Sequence, residues 1–344
     1  MLQFILRRVL LLIPILFGVS VITFILVRSL PGDPATVAIG VDQRITPEQR
    51  ELVRKSYGLD DSKPVQYVKW MQHLAKGDLG KSLRTKRPLT TELKLRLPVT
   101  VELTLLAGLL GIIPALSVGV LAAVKRNSAA DYAATIVTLL GISAPSFLVA
   151  ILLILLFSYN LKWLPPVGDE KFTVDPIKNL KGMIMPAISL ALPFAAVMMR
   201  NTRSAVLEVI NQEYVRVARA KGLSGSRVLT RHILPNSALP IITIGGIQLA
   251  GLLGGTVIIE QIFGLPGLGR YIYDAIRNRD YPVVQGVTLV LATIFVIVSM
   301  LVDILYAVVD PRLPAKRHCA KRRLIGEPMA RQKVNLGRIC GRFV

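Results

Sequence analysis

Six apolar stretches, each near the length a helix needs to cross a hydrocarbon layer, dominate the 344-residue sequence: Val9 to Val27, Leu103 to Val124, Ala133 to Phe157, Met183 to Met199, Ala238 to Ile259 and Val283 to Val309. About 20 consecutive apolar residues span a bilayer core, and backbone polar groups find no water there, so each run must be a helix. The fold class that follows is an all-α membrane protein with six transmembrane helices. Pro14, Pro114, Pro145, Pro186 and Pro193 lie in these runs and mark expected kinks. The first run follows Arg7 and Arg8 but is long for a signal peptide and meets no small-residue cleavage pattern, so it reads as a retained helix.

The formal net charge of +21 would suggest nucleic acid in a water-soluble chain, but here the charges lie between the apolar runs and in a terminal tail. Of the 42 Lys and Arg residues, 21 fall on the side of the N-terminus and seven in the two short loops opposite, while the other 14 lie between Arg28 and Arg96 in a loop too long for the rule to count. That bias puts both termini in the cytoplasm. The first outer loop carries helix signals of its own: Thr46-Pro47-Glu48-Gln49 with Gly58 beyond it, then a second helix from near Ser62-Lys63-Pro64 that stops before Gly77. A small helical cap on the outer face is expected, with Tyr67 and Trp70 near the headgroups.

Chemistry is scarce. Gly77-Asp78-Leu79-Gly80-Lys81-Ser82 ends like a phosphate-binding loop but has two residues between its glycines where that loop has four, and no strand precedes it. His73, His232 and His318 are scattered, and Cys319 and Cys340 both lie past the last apolar run. No catalytic, metal or cofactor site assembles from these residues. Asp303, near the inner end of the sixth run, reads as the partner of an inner-loop Arg. Gly251 and Gly255 read as a small-residue contact in the fifth run, within the chain or between subunits. Gln248 and Thr256 in the same run are polar enough to line a pathway or to bond neighbouring helices.

The most informative segment is the inner loop Glu213-Tyr214-Val215-Arg216-Val217-Ala218-Arg219-Ala220-Lys221-Gly222-Leu223-Ser224, followed by Arg231-His232-Ile233-Leu234-Pro235-Asn236. It reads as a short helix ended by Gly222, a turn, and a basic segment entering the next span. By itself it could be a basic interfacial helix on anionic lipid. It also resembles the ABC importer permeases, whose loop carries E-A-A, three residues, Gly, nine residues and I-x-L-P. Ala218, Gly222, Leu234 and Pro235 match, while Arg216, Val217 and His232 depart from that pattern in the manner of the dipeptide and oligopeptide branch. Pro31-Gly32-Asp33-Pro34, Gly77-Asp78-Leu79-Gly80 with Ser82, Glu260-x-x-Phe263-Gly264-x-Pro266-Gly267-Leu268-Gly269, Arg279-Asp280-Tyr281-Pro282 and Asp303-x-x-Tyr306-x-x-x-Asp310-Pro311-Arg312 are similar to that branch in the same order.

The resemblance implies a permease subunit of the cell inner membrane that forms half of a translocation pathway for dipeptides or oligopeptides and works by alternating access. It implies as partners a second homologous permease, two ATP-binding subunits that hydrolyse the ATP, and an extracytoplasmic solute-binding protein, within the lipid bilayer and without nucleic acid. Glu213, Tyr214, Arg216, Ala218, Arg219, Lys221, Gly222, Leu234 and Pro235 would form the ATPase-coupling loop. The division expected is 1–30 for the N-terminus and first span, 31–99 for the outer loop, 100–313 for a five-helix core with its coupling loop at 200–236, and 314–344 for a basic tail. Nickel complexes, glutathione or another small solute are alternative cargoes. A stand-alone channel or ion-driven carrier is the rival of another class, but internal repeats and ionisable residues deep in the spans are missing.

Overall fold

The computed structural model describes residues 2–29, 51, 60–168, 170 and 172–309. Among them the chain is helical, and the only β-type pairing is an isolated bridge between Lys81 and Pro88. The helices are α1 (Leu2–Ser29), α2 (Lys63–Ala75), α3 (Leu89–Val124), α4 (Ala129–Ser143), α5 (Ser146–Leu153), α6 (Pro176–Ile210), α7 (Glu213–Ala220), α8 (Gly225–Val228), α9 (Leu234–Ile262), α10 (Leu268–Arg277) and α11 (Tyr281–Val309). The helix expected at Thr46 to Gly58 and the tail after Arg312 lie outside the described residues.

Five helices are long and apolar enough to cross a membrane, and the sixth crossing is a broken one. The run expected as a single span from Ala133 to Phe157 is instead α4 followed by α5 and a π-helical extension to Asn160, bent by 99° at the break. Pro145 is the cause. It lacks an N–H and pushes the preceding residue out of the helical region, and Ala144 accordingly sits at φ −82°, ψ 115°. Pro14, Pro114, Pro186 and Pro193 stand inside unbroken helices.

Helix registers show that the bent pair still crosses. A side-chain carbon on Gly111 would run into Phe194, and one on Gly119 would lie 2.8 Å from Thr202 Cβ. Positions on α3 and α6 thus advance together, and the two helices are parallel. The chain must return to the opposite face between them. It does so along α6: Asp131 pairs with Arg203, Thr138 Oγ1 donates to Met199 Sδ at 3.3 Å, and Gly168 packs against Gly182. From Arg203 to Gly182 is 21 residues, about 32 Å of helix, or one hydrocarbon thickness. Six crossings bring Leu2 and Val309 to one face, which the Lys and Arg bias assigns to the inside.

Lipid offers no hydrophobic drive for helices to associate, so close packing must supply it. The α3–α6 seam does this with a small residue every four positions: Ala107, Gly111, Ala115 and Gly119 on α3 meet Ala187 and Ala191 on α6, all buried. Between α4 and α6, Asp131 receives two bonds from Arg203, Nε to Oδ1 at 2.6 Å and Nη2 to Oδ2 at 2.9 Å. On the outer face α2 is the expected cap, and it reaches deeper than the headgroups. Tyr67 and Trp70 pack on Phe24, and the Tyr67 hydroxyl meets Ser20 Oγ at 2.8 Å, nine residues or about 13 Å down α1 from Ser29.

Candidate functional site

At the inner face α6 runs past its long apolar stretch, Met183 to Met199, as far as Ile210, and α7 folds back beneath the bundle. Val215 is fully buried and Ala218 nearly so, in an apolar cluster with Ala123 of α3, Val206 of α6, Val228 and Ile233. Three spanning helices therefore share one seat under α7. Burying Val215 alone contributes roughly 1.5–3 kcal/mol. The remaining faces of α7 look outward: Glu213, Tyr214, Arg216, Val217, Arg219 and Lys221 are exposed. No ion pair joins Arg216, Arg219 or Lys221 to an acid among the described residues. Burial raises the Tyr214 phenol above its ordinary pKa.

Gly222 ends α7 as expected, and its backbone shows why. Its φ is +78°, the left-handed region, with open space where a side chain would begin. The Gly222 N–H donates to the Arg219 carbonyl at 2.9 Å and the Leu223 N–H to the Ala218 carbonyl at 3.4 Å, the paired bonds of a Schellman end. The expected turn follows at Leu223 and Ser224, and the basic segment after it is helical. From Gly225 to Ile262 the chain is one helix with a π-helical stretch at Leu229–Ile233, just before Pro235 removes a backbone donor. Leu234 packs on the α7 cluster and Pro235 is exposed.

Thr256 is fully buried and its hydroxyl donates to its own helix at the Leu253 carbonyl, while Gln248 is partly exposed. Gly251 and Gly255 do not share a contact: Gly255 faces Leu190 of α6, and Gly251 has nothing within 4 Å. The open face of α9 carries Asn236, Pro240, Thr243, Ile247, Gly251, Gly254 and Ile258, three or four residues apart, so they form one stripe. Its flanks are covered by Met198 and Leu190 of α6, by α3 at Gly108 and by Val302 of α11. The stripe differs in composition from the exposed faces of α1 and α4, where Leu10, Ile13, Ile22, Ile25, Ile136 and Leu140 dominate. Sequence reasoning missed it because spacing alone does not tell which side of a helix its neighbours leave open.

Comparison with known proteins decides the family. Residues 115–314 match the binding-protein-dependent transport system inner membrane component, and residues 1–104 match the N-terminal component of such membrane proteins. The chain belongs to this family. It is 39% identical over 316 residues to the oligopeptide transport system permease protein AppB of Bacillus subtilis, covering 91% of this chain and 99% of that one. It is 41% identical over 337 residues to the di/tripeptide transport system permease protein DppB of Pseudomonas aeruginosa (92% and 100%). To the dipeptide transport system permease protein DppB of Escherichia coli it is 39% identical over 340 residues (92% and 100%). Its fold resembles the MetNI methionine ABC transporter solved in inward-facing conformations, with TM-score 0.54 and 20% identity, covering 64% of this chain and 98% of that one.

The sequence marks of this binding-protein-dependent permease close its outer face. Glu260, fully buried at the end of α9, accepts from Thr100 Oγ1 on α3 at 2.7 Å and from the Arg270 N–H at 2.9 Å. The carboxylate thus sits on the first turn of α10, where exposed N–H groups favour negative charge. Gly267 and Gly269 leave room for it, since a side-chain carbon on Gly267 would run into the carboxylate. Asp280 holds the other seam: it accepts from Ser82 Oγ at 2.5 Å and from the Leu83 N–H at 3.0 Å. The Gly77 to Ser82 segment is therefore a clip onto the start of α11. Between the seams Arg96 lies over the Tyr271 ring at 4.4 Å and donates to Glu92 at 2.9 Å. Burial, then the carboxylates of Glu92 and Asp280, push the Tyr271 phenol up to about 12.

Proposed function

We propose that this permease imports dipeptides or oligopeptides, with a second homologous permease, two ATP-binding subunits that hydrolyse the ATP, and an extracytoplasmic solute-binding protein. The observation that carries the reading is near-complete coverage of peptide permeases at about 40% identity, combined with an exposed helix seated on three spans at once. Residues 100–313 form the core of the half-pathway in this reading, 200–236 the region that couples it to ATP, 1–30 and 31–99 its first span and outer loop, and 314–344 an appended basic tail.

The α7 face bearing Tyr214, Arg216, Arg219 and Lys221 docks into an ATP-binding subunit. Because Val215 and Ala218 rest on residues of α3, α6 and the segment leading to α9, displacement of α7 reaches all three spans. The α9 stripe from Thr243 to Ile258 faces the second permease across the pathway, where Gly251 and Gly254 allow a close approach in one state. ATP binding on one side and loaded receptor on the other bias the same two-state equilibrium.

The test is uptake of labelled di- and tetrapeptides into proteoliposomes holding the complete complex and its receptor. ATP-dependent uptake of either supports the reading. Uptake of a nickel chelate or glutathione with no peptide uptake replaces the cargo, and uptake by this chain without ATPases replaces the class with a stand-alone carrier.

A further inference from the structure

Between α4 and α6, at their inner ends, lies a half-open groove of about 280 Å³. Its floor is mainly apolar, with Ala122, Ala134, Leu139 and Met199 around Thr138. Its rim is polar, with Arg200, Ser204 and Thr135, and the Asp131–Arg203 pair stands beside it. Arg203 gives its Nε and Nη2 to Asp131, so that acid is already neutralised, and Nη1 takes no part in the pair. Arg200 is exposed and pairs with no acid among the described residues.

The depth of these groups points to their ligand. Lys181 is the last cation of α6 on the outer side and Arg200 the first on the inner side. The 18 uncharged residues between them cover about 27 Å of helix, close to the hydrocarbon thickness of ~30 Å. Arg200 therefore stands at the level of the inner-leaflet phosphates, and the groove runs from it toward the bilayer interior. A hydrated cargo would find little to bond along the floor, where the Thr138 hydroxyl already donates to Met199 Sδ, whereas an acyl chain needs no such partner. The site also lies about 15 Å up α6 from Ile210, away from the docking face of α7.

We infer that this groove holds one anionic glycerophospholipid of the inner leaflet, its phosphate on Arg200 with the Ser204 hydroxyl and the free Nη1 of Arg203, and an acyl chain along Ala134, Leu139 and Met199. The residual positive charge selects an anionic headgroup over a zwitterionic one, because the additional acid–base attraction is lost when the headgroup carries its own cation.

Native mass spectrometry of the full chain with its partner subunits, in mild detergent with equal phosphatidylglycerol and phosphatidylcholine, tests this. The expected result is one retained phosphatidylglycerol, with that preference falling about fivefold in Arg200→Gln. Ser204→Glu, which places a carboxylate one turn from Arg200, lowers it likewise, and soluble glycerol 3-phosphate does not displace the lipid. Equal retention of both lipids, or a preference unchanged in both variants, overturns the proposal. Displacement by glycerol 3-phosphate makes this a soluble-anion site, and a photo-crosslinker at Leu139 that captures the second permease makes it a subunit contact; either also overturns it.

Discussion

Replacing Gly222 with Val should uncouple ATP hydrolysis from transport while leaving the bundle intact. An L-residue at φ +78° costs about 1–2 kcal/mol, and β-branching puts Val at the upper end. If the chain relaxes out of that conformation, it forfeits the Gly222–Arg219 and Leu223–Ala218 bonds, each worth about 1 kcal/mol. Either route costs roughly 2 kcal/mol, comparable with the 1.5–3 kcal/mol that seats Val215. The docked population of α7 should then fall about thirtyfold relative to its open form. Amide exchange across 214–220 should accelerate by that factor, with α3 and α6 unchanged, and peptide taken up per ATP hydrolysed should fall. Asn tolerates the left-handed region, so Gly222→Asn should recover most of both signals. Unchanged exchange and unchanged uptake per ATP in Gly222→Val would refute the argument.

Asp131→Asn should lower the thermal stability of the purified chain by about 2–3 kcal/mol, because it leaves the Arg203 guanidinium part-buried without its anion. The double variant with Arg203→Gln should be less destabilised than the sum of the two single ones, which a thermal-shift cycle measures. Ser82→Ala removes the strongest donor to buried Asp280 and should cost about 1–3 kcal/mol, read as faster proteolysis of the outer loop with the spans intact. Gly119→Val forces a side chain against Thr202 and the Met199 carbonyl, so about 1–3 kcal/mol of overpacking should show as a lower melting temperature in detergent. Reversing Arg216 and Arg219 to Glu should weaken co-purification of the ATP-binding subunits without altering that melting temperature, since both side chains are exposed.

The spans were legible because hydropathy reports what faces lipid, and for the same reason their ends were not. The α3 helix begins at Leu89 rather than Leu103, and α6 runs from Pro176 to Ile210 beyond the run Met183 to Met199, since helices continue into water where polar residues suit them. Pro145 marked a kink, but the 99° bend depends on how α4 and α5 each lie along α6. Among small residues four apart, Gly251 and Gly255 drew notice, yet the operative ladder is Ala107 to Gly119. Only the facing surface of α6 distinguishes the two.

The loop at Gly222 was readable locally because a Gly after an amphipathic turn carries its own explanation. Glu260 was not. Its role rests on Thr100, 160 residues away, and on a helix that folds back over it, so sequence showed only a recurring motif without its mechanical reason. The outward stripe of α9 likewise needed the positions of α3, α6 and α11 before its open side existed as a feature.

The most direct test of the central claim is a photo-crosslinking residue at Tyr214 in the native complex, with captured partners identified by mass spectrometry after mild-detergent purification. The account predicts an adduct to an ATP-binding subunit that the same probe at Lys69 on α2 does not give. A complex that purifies with its ATPases intact but yields only lipid or self-adducts at Tyr214 would contradict it.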